Sequence, residues 1–162
     1  MNQEPEPVHR PSGRALLVDE RDRVLLFRVE PPDRDIELWI TPGGGLDRGE
    51  SSREAARREL WEETGLRAAQ LGPWVWKREH LFTWGEATVA STERYFLVRV
   101  GRVEVRPAGM TEEELRFVRE HRWWSVEEIH RSRGTFVPRR LGELLGPILR
   151  GEIPDRPIDT GV

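Results

Sequence analysis

The chain has 162 residues, 36% of them hydrophobic and 34% charged, which is apolar material for one domain core. Its 29 acidic residues outnumber 25 arginines and one lysine, Lys77, giving a net charge of −3 that argues against a dedicated nucleic-acid binder with a strongly basic face. There is no cysteine, which excludes disulfide frameworks, thiolate catalysis and cysteine-ligated metal centres.

Residues 1–13 are polar, carry three prolines and are expected to form a flexible N-terminal tail. The first residues lack the basic start and apolar stretch of a signal peptide. The apolar runs, such as residues 15–18, fall far short of the ~20 residues that span a bilayer. A cytoplasmic chain without a membrane partner is therefore expected. Two apolar runs, residues 15–18 and 24–29, flank the polar insert Asp19-Glu20-Arg21-Asp22 and read as a hairpin. A loop over residues 31–35 leads to a short strand, Leu38-Trp39-Ile40, that stops at Pro42-Gly43-Gly44-Gly45. The clearest helix covers residues 52–64. Ser51 is a good N-cap, Glu54 completes a capping box, and Gly65 suits a left-handed C-cap.

Further strands are expected over residues 74–83, 87–90, 95–100 and 122–124. Ser125 caps the start of a short helix. A last helix over residues 139–150 places Leu141, Leu144, Leu145 and Ile148 on one face, and an irregular C-terminal tail, residues 151–162, follows it. The organisation is one mixed α/β domain over residues 14–150 between two tails.

The chemistry concentrates between Gly44 and Leu66. A glycine-rich turn leads into a helix on which Glu59, Glu62 and Glu63 stand at i, i+3 and i+4, so their carboxylates project from one side. Like charges at that spacing destabilise a helix and call for a positive partner. Oxygen-only ligands suit a hard divalent cation, Mg²⁺ or Mn²⁺, whose shell is completed by water and substrate phosphate oxygens. The side-chain-free turn at Gly43-Gly44-Gly45 lets backbone approach an ion or a phosphate closely. The competing reading is a solvated acidic face salt-bridged to Arg57 and Arg58.

The segment resembles the signature of the Nudix hydrolases, G-x5-E-x7-R-E-U-x-E-E-x-G-U, with U a bulky aliphatic residue. Gly44, Glu50, Arg58, Glu59, Leu60, Glu62, Glu63, Gly65 and Leu66 fill every defined position. The resemblance implies a Nudix-type αβα sandwich with a mixed central sheet. It also implies that Glu59, Glu62 and Glu63 bind divalent ions together with the Gly43 carbonyl. Arg58 then orients the helix glutamates, and Glu50 pairs with it or completes the metal shell. The implied reaction is cleavage of a diphosphate linkage in a nucleoside diphosphate derivative, either a nucleoside di- or triphosphate or a nucleotide sugar.

Outside the signature the candidates are weaker. Relatives recruit a further glutamate as general base or extra ligand, and Glu113, within Thr111-Glu112-Glu113-Glu114, is the nominal choice for a catalytic role. The same residues also fit a helix start capped by Thr111 with Glu114 at N3. Glu120 is a further option. Arg28 is a candidate for a substrate phosphate, and Gly44 for close backbone contact with it. Trp39, Phe82, Trp84, Trp123 and Trp124 are candidates for stacking on a base, although most large aromatics are core. The features of the ADP-ribose, diadenosine-polyphosphate and coenzyme A subfamilies are absent, so the substrate stays general. Two other readings stand beside hydrolysis: a Nudix-fold nucleotide-binding or sensor module that does not cleave, and an isoprenoid diphosphate isomerase, disfavoured by the missing cysteine. Homodimers are common among such relatives, but the sequence marks no interface.

Overall fold

The computed structural model describes residues 4–30, 35–67, 71–112 and 118–162. Strands Val8–Val18 (β1), Val24–Val29 (β2), Leu38–Ile40 (β3) and Gly43–Gly45 (β4) precede the helix Ser52–Thr64 (α1). The long strands Trp74–Trp84 (β5) and Ala87–Arg99 (β6) follow. Then come strand Val118–Trp124 (β7), helix Val126–Arg131 (α2), strand Thr135–Val137 (β8), helix Leu141–Leu149 (α3) and strand Ile158–Asp159 (β9). The strands form one mixed sheet in the order β8-β3-β2-β1-β6-β5-β9, with β4 beside β1 and β7 beside β2.

β1 is the spine of the sheet. It runs parallel to β6 from Val8↔Val89 to Val18↔Arg99, and its middle pairs antiparallel with β4 from Ser12↔Gly45 to Arg14↔Gly43. Both of its faces are covered, which explains why residues 15–18 read as an unbroken apolar run rather than an alternating one. Ala15 and Leu17 face α1 in one core cluster with Leu25, Phe27, Ala56, Leu60 and Phe96. Leu16 and Val18 face α2 and α3 in the other, with Trp39, Trp76, Trp124, Leu141, Leu145 and Ile148. Helices thus lie on both sides of the sheet, as the expected α/β sandwich requires.

Several local differences separate structure from expectation, and the following come from pairing. β1 begins at Val8, inside the segment expected to be a tail, because β6 and β4 hydrogen-bond its polar residues from either side. Even Pro11, which lacks an N–H, lends its carbonyl to the Leu46 N–H at 3.3 Å. β6 is continuous where two strands were expected, since Ser91 and Glu93 lie buried in phase with Val89 and Tyr95. The C-terminal residues, expected to be irregular, dock on the sheet edge. Ile158 pairs with Trp76, and the Thr160 N–H donates to the Lys77 carbonyl at 2.9 Å.

Candidate active site

The ends of α1 form as its flanking residues dictate. Ser51 Oγ accepts the Glu54 N–H at 3.2 Å, the hydroxyl half of the expected capping box. Gly65 takes the left-handed conformation at φ 77° and donates to the Trp61 carbonyl at 2.7 Å. Buried Ala55, Ala56 and Leu60 anchor one face of the helix on the sheet. The glutamates are thereby turned toward the β4 turn.

Arg58 is the hub of the exposed half of the site. Its Nε and Nη2 donate to the two oxygens of Glu50, both at 2.9 Å, a bidentate fork. Its Nη1 lies between Glu59 Oε1 at 3.1 Å and Glu62 Oε2 at 3.2 Å, and its Nη2 also donates to the Gly45 carbonyl at 3.0 Å. Asp47 stands 3.1 Å from Arg58 Nε. The Glu50 hydrogen bonds, with Glu59 beside them, raise the Arg58 pKa despite partial desolvation, so the guanidinium is permanently charged. The same arginine holds the Glu50 carboxyl below the usual carboxylate range.

Glu63 sits deeper. It is only 9% exposed, and its Oε1 accepts the Gly43 N–H at 3.4 Å. Burial, and then the neighbouring Glu59 carboxylate, push its pKa well above the ordinary range. The turn makes room for this crowding. A Cβ on Gly44 would stand 2.5 Å from Glu59 Oε1, and one on Gly43, at φ +145°, would stand 2.4 Å from the Gly13 carbonyl.

Among the described residues no three carboxylates are gathered as a ready-made metal cage. Arg58 Nη1 instead supplies the positive partner between Glu59 and Glu62. The donor set still fits a hard cation: every candidate ligand is an oxygen, and Glu59 and Glu63 are crowded together against the glycine turn.

The candidates outside the signature separate. Arg28 Nη1 pairs with Glu37 at 3.2 Å and Glu30 at 3.7 Å, and its Nε with Glu120 at 3.0 Å, so three carboxylates already surround this guanidinium. Trp39 is 5% exposed and packs edge-on against Trp124 at 4.9 Å. Both rings belong to the core, and neither offers a face for stacking. Phe82 is half-buried and stacks on His80 at 5.3 Å. Glu113, Glu114 and the Trp84 side chain lie outside the described residues.

Sequence reasoning passed over a second cluster. Buried Glu93 on β6 receives Arg78 Nη1 at 3.1 Å and the Tyr95 hydroxyl at 2.9 Å on Oε2, and Arg14 Nη2 at 3.3 Å on Oε1. Arg14 Nη1 reaches the carbonyls of Thr41 at 3.2 Å and Gly43 at 3.1 Å. Burial works against the charge on Glu93, but Arg14 and Arg78 outweigh it and hold its pKa below the ordinary value. The only local signal was a charged residue within an otherwise strand-like stretch.

A mixed sheet between helices, with a glycine turn feeding a helix that bears Arg58 and three glutamates, defines the class. A family model described as the NUDIX domain matches residues 8–145, and the chain belongs to that family. The RNA pyrophosphohydrolase of Cereibacter sphaeroides is 41% identical over 63 residues, 39% of this chain and 38% of that protein. A Bacillus subtilis protein named provisionally as an 8-oxo-dGTP diphosphatase is 38% identical over 89 residues, covering 48% and 57%. The chain therefore aligns with less than two thirds of either curated relative. The MutT protein of Methanosarcina mazei Go1 shares the fold, with a TM-score of 0.59 and 24% identity over 91% of this chain and 98% of that one.

Proposed function

We propose that the chain is a divalent-metal-dependent hydrolase of phosphoric anhydride bonds. It cleaves a diphosphate linkage in a nucleoside diphosphate derivative, a nucleoside di- or triphosphate or a nucleotide sugar, in the cytoplasm. The observation that carries this reading is the convergence of Glu59 and Glu63 on the Gly43-Gly44 turn, with Glu62 tied to the same arginine. The names of the two curated relatives, a pyrophosphohydrolase and a diphosphatase, support the bond type and leave the substrate open.

Glu59, Glu62 and Glu63, with the Gly43 carbonyl and Glu50, are the groups that would hold Mg²⁺ or Mn²⁺. A bound cation neutralises charge on the diphosphate and lowers the pKa of the attacking water. The chain contributes orientation. Arg58, locked by Glu50, keeps the carboxylates of Glu59 and Glu62 aimed to one side of α1. Gly44, with no side chain of its own, lets the Glu59 carboxylate lie against the turn, where a bound cation and substrate oxygens would approach the backbone.

The test is a substrate panel with chromatographic identification of products, run with Mg²⁺, with Mn²⁺ and with chelator. The panel includes nucleoside triphosphates, nucleotide sugars and an RNA oligonucleotide carrying a 5′ triphosphate. Cation-dependent release of phosphate, diphosphate or a nucleoside monophosphate is expected. Tight nucleotide binding with no product after prolonged incubation would replace hydrolysis with a sensing role.

A further inference from the structure

The buried cluster on the far side of the turn has a directional feature. Glu93 is 6% exposed, yet its carboxylate gathers two guanidinium groups and a phenol. Such a group of charges is costly to desolvate and is rarely the most stable way to fill a core. What it achieves here is geometric. Glu93 pins one nitrogen of Arg14, and the planar fork then directs the other nitrogen at the Thr41 and Gly43 carbonyls. The two peptide groups flanking the Gly43 Cα are both held, the following one by Arg14 on the Gly43 carbonyl and the preceding one by Glu63 on the Gly43 N–H. Its φ of +145° and the 2.4 Å approach to the Gly13 carbonyl leave it no room for a side chain of its own.

We propose that Arg14, fixed by Glu93, is a positioning residue for the cation site: it sets the direction of the Gly43 carbonyl and holds the Gly43 N–H against Glu63. This rests on the metal-dependent reading above. Arg14 acts through Gly43, from β1, with no need to touch substrate. Lysine keeps the charge but, as a point donor, cannot span two carbonyls and a carboxylate at once.

The two possible contributions of Arg14 have opposite signs. A positive charge beside a cation site weakens cation binding, so removing it electrostatically tightens the site. Removing a positioning group loosens it, by roughly 10-fold or more for a partner behind the ligands. Mn²⁺ binding, followed by electron paramagnetic resonance of the free ion, separates them without any turnover. Arg14→Gln is expected to bind Mn²⁺ about 10-fold more weakly than the parent chain. Arg14→Lys should fall between the two, and Glu93→Gln should weaken binding in the same direction. Exchange of the Gly43 amide should quicken in Arg14→Gln.

Binding by Arg14→Gln that equals or exceeds the parent's overturns the assignment. If that variant does not fold, Arg14→Lys carries the test, and parental affinity there overturns the assignment equally. A parent chain that takes up no Mn²⁺ removes the metal reading and this inference together. Parental binding with unaltered variants removes only the role of Arg14.

Discussion

The molecule holds two arginine–glutamate clusters on either side of one glycine turn, and they are built in different ways. The Arg58 cluster is assembled almost entirely within residues 45–62, from one helix and the loop before it, with its side chains partly open to water. The Arg14–Glu93–Arg78 cluster draws on three strands, with 79 positions between Arg14 and Glu93; Glu93 and Arg78 are buried, and Arg14 is half-buried at its edge. The first can exchange partners when a cation or substrate arrives, because water and several carboxylates share its charge. The second cannot, because each charge there depends on the others for its solvation. A charge-rich face shared with water reaches the turn at the Gly45 carbonyl, and a more deeply buried clamp reaches it at the Gly43 carbonyl.

The contrast should be sharpest in activity. Glu62→Gln or Glu63→Gln removes a proposed ligand without removing bulk, and turnover should fall on the order of 10³-fold in a chain that still folds. Undiminished turnover would break the assignment of this face.

Stability should show the reverse ranking. Glu93→Ala leaves Arg14 and Arg78 buried without their counter-charge, an expected loss of about 3–5 kcal/mol in denaturant unfolding. Glu50→Ala leaves Arg58 with Glu59, Glu62 and Asp47 and should cost only about 1 kcal/mol. Equal losses would erase the distinction between the clusters.

Glycine substitutions probe the same divide. A Cβ on Gly13 would stand 1.9 Å from the Ser52 carbonyl, so Gly13→Ala must separate α1 from β1 and should destabilise by about 1–3 kcal/mol. At Gly44 the obstacle is the flexible end of Glu59. Gly44→Ala should therefore change the melting temperature little while lowering activity, because the displaced carboxylate is a proposed ligand.

The smallest effect concerns acid. Glu93 has a folded pKa below its unfolded one, because Arg14 and Arg78 overcome the cost of burial. Its contribution is therefore complete above the ordinary glutamate value and is lost as pH falls through the depressed folded value. Unfolding free energy measured against pH should decline below the ordinary glutamate range, and Glu93→Gln should flatten part of that decline. An unchanged slope in the variant would mean the ion pairs contribute nothing that titrates.

How far each part was legible in the chain follows from the range of the interactions that make it. α1 was read to the residue, because Ser51, Gly65 and the spacing of Glu59, Glu62 and Glu63 act within a few positions of one another. The hairpin of β1 and β2 was equally plain from its apolar runs and polar turn. β4 was missed because three glycines carry no strand propensity, and they are a strand only because β1 lies alongside. Residues 8–13 were taken for a tail for the same reason. Arg28 shows what the local pattern leaves out: its place at a strand end offered a phosphate contact, and the fold adds Glu30, Glu37 and Glu120 around it.

Composition and the local pattern were enough to read the α/β class, the helix α1 and its acidic face, since capping and side-chain spacing are written into neighbouring residues. Only the tertiary structure decided that Trp39 is core, that residues 8–13 extend the central strand, and that Glu93 lies behind the turn. Those outcomes depend on which distant strands pair and which side chains share their solvation. The ion-pair lattice behind Gly43 exists because β1, β5 and β6 bring Arg14, Arg78 and Glu93 together around a buried carboxylate, a condition no stretch of neighbouring residues encodes.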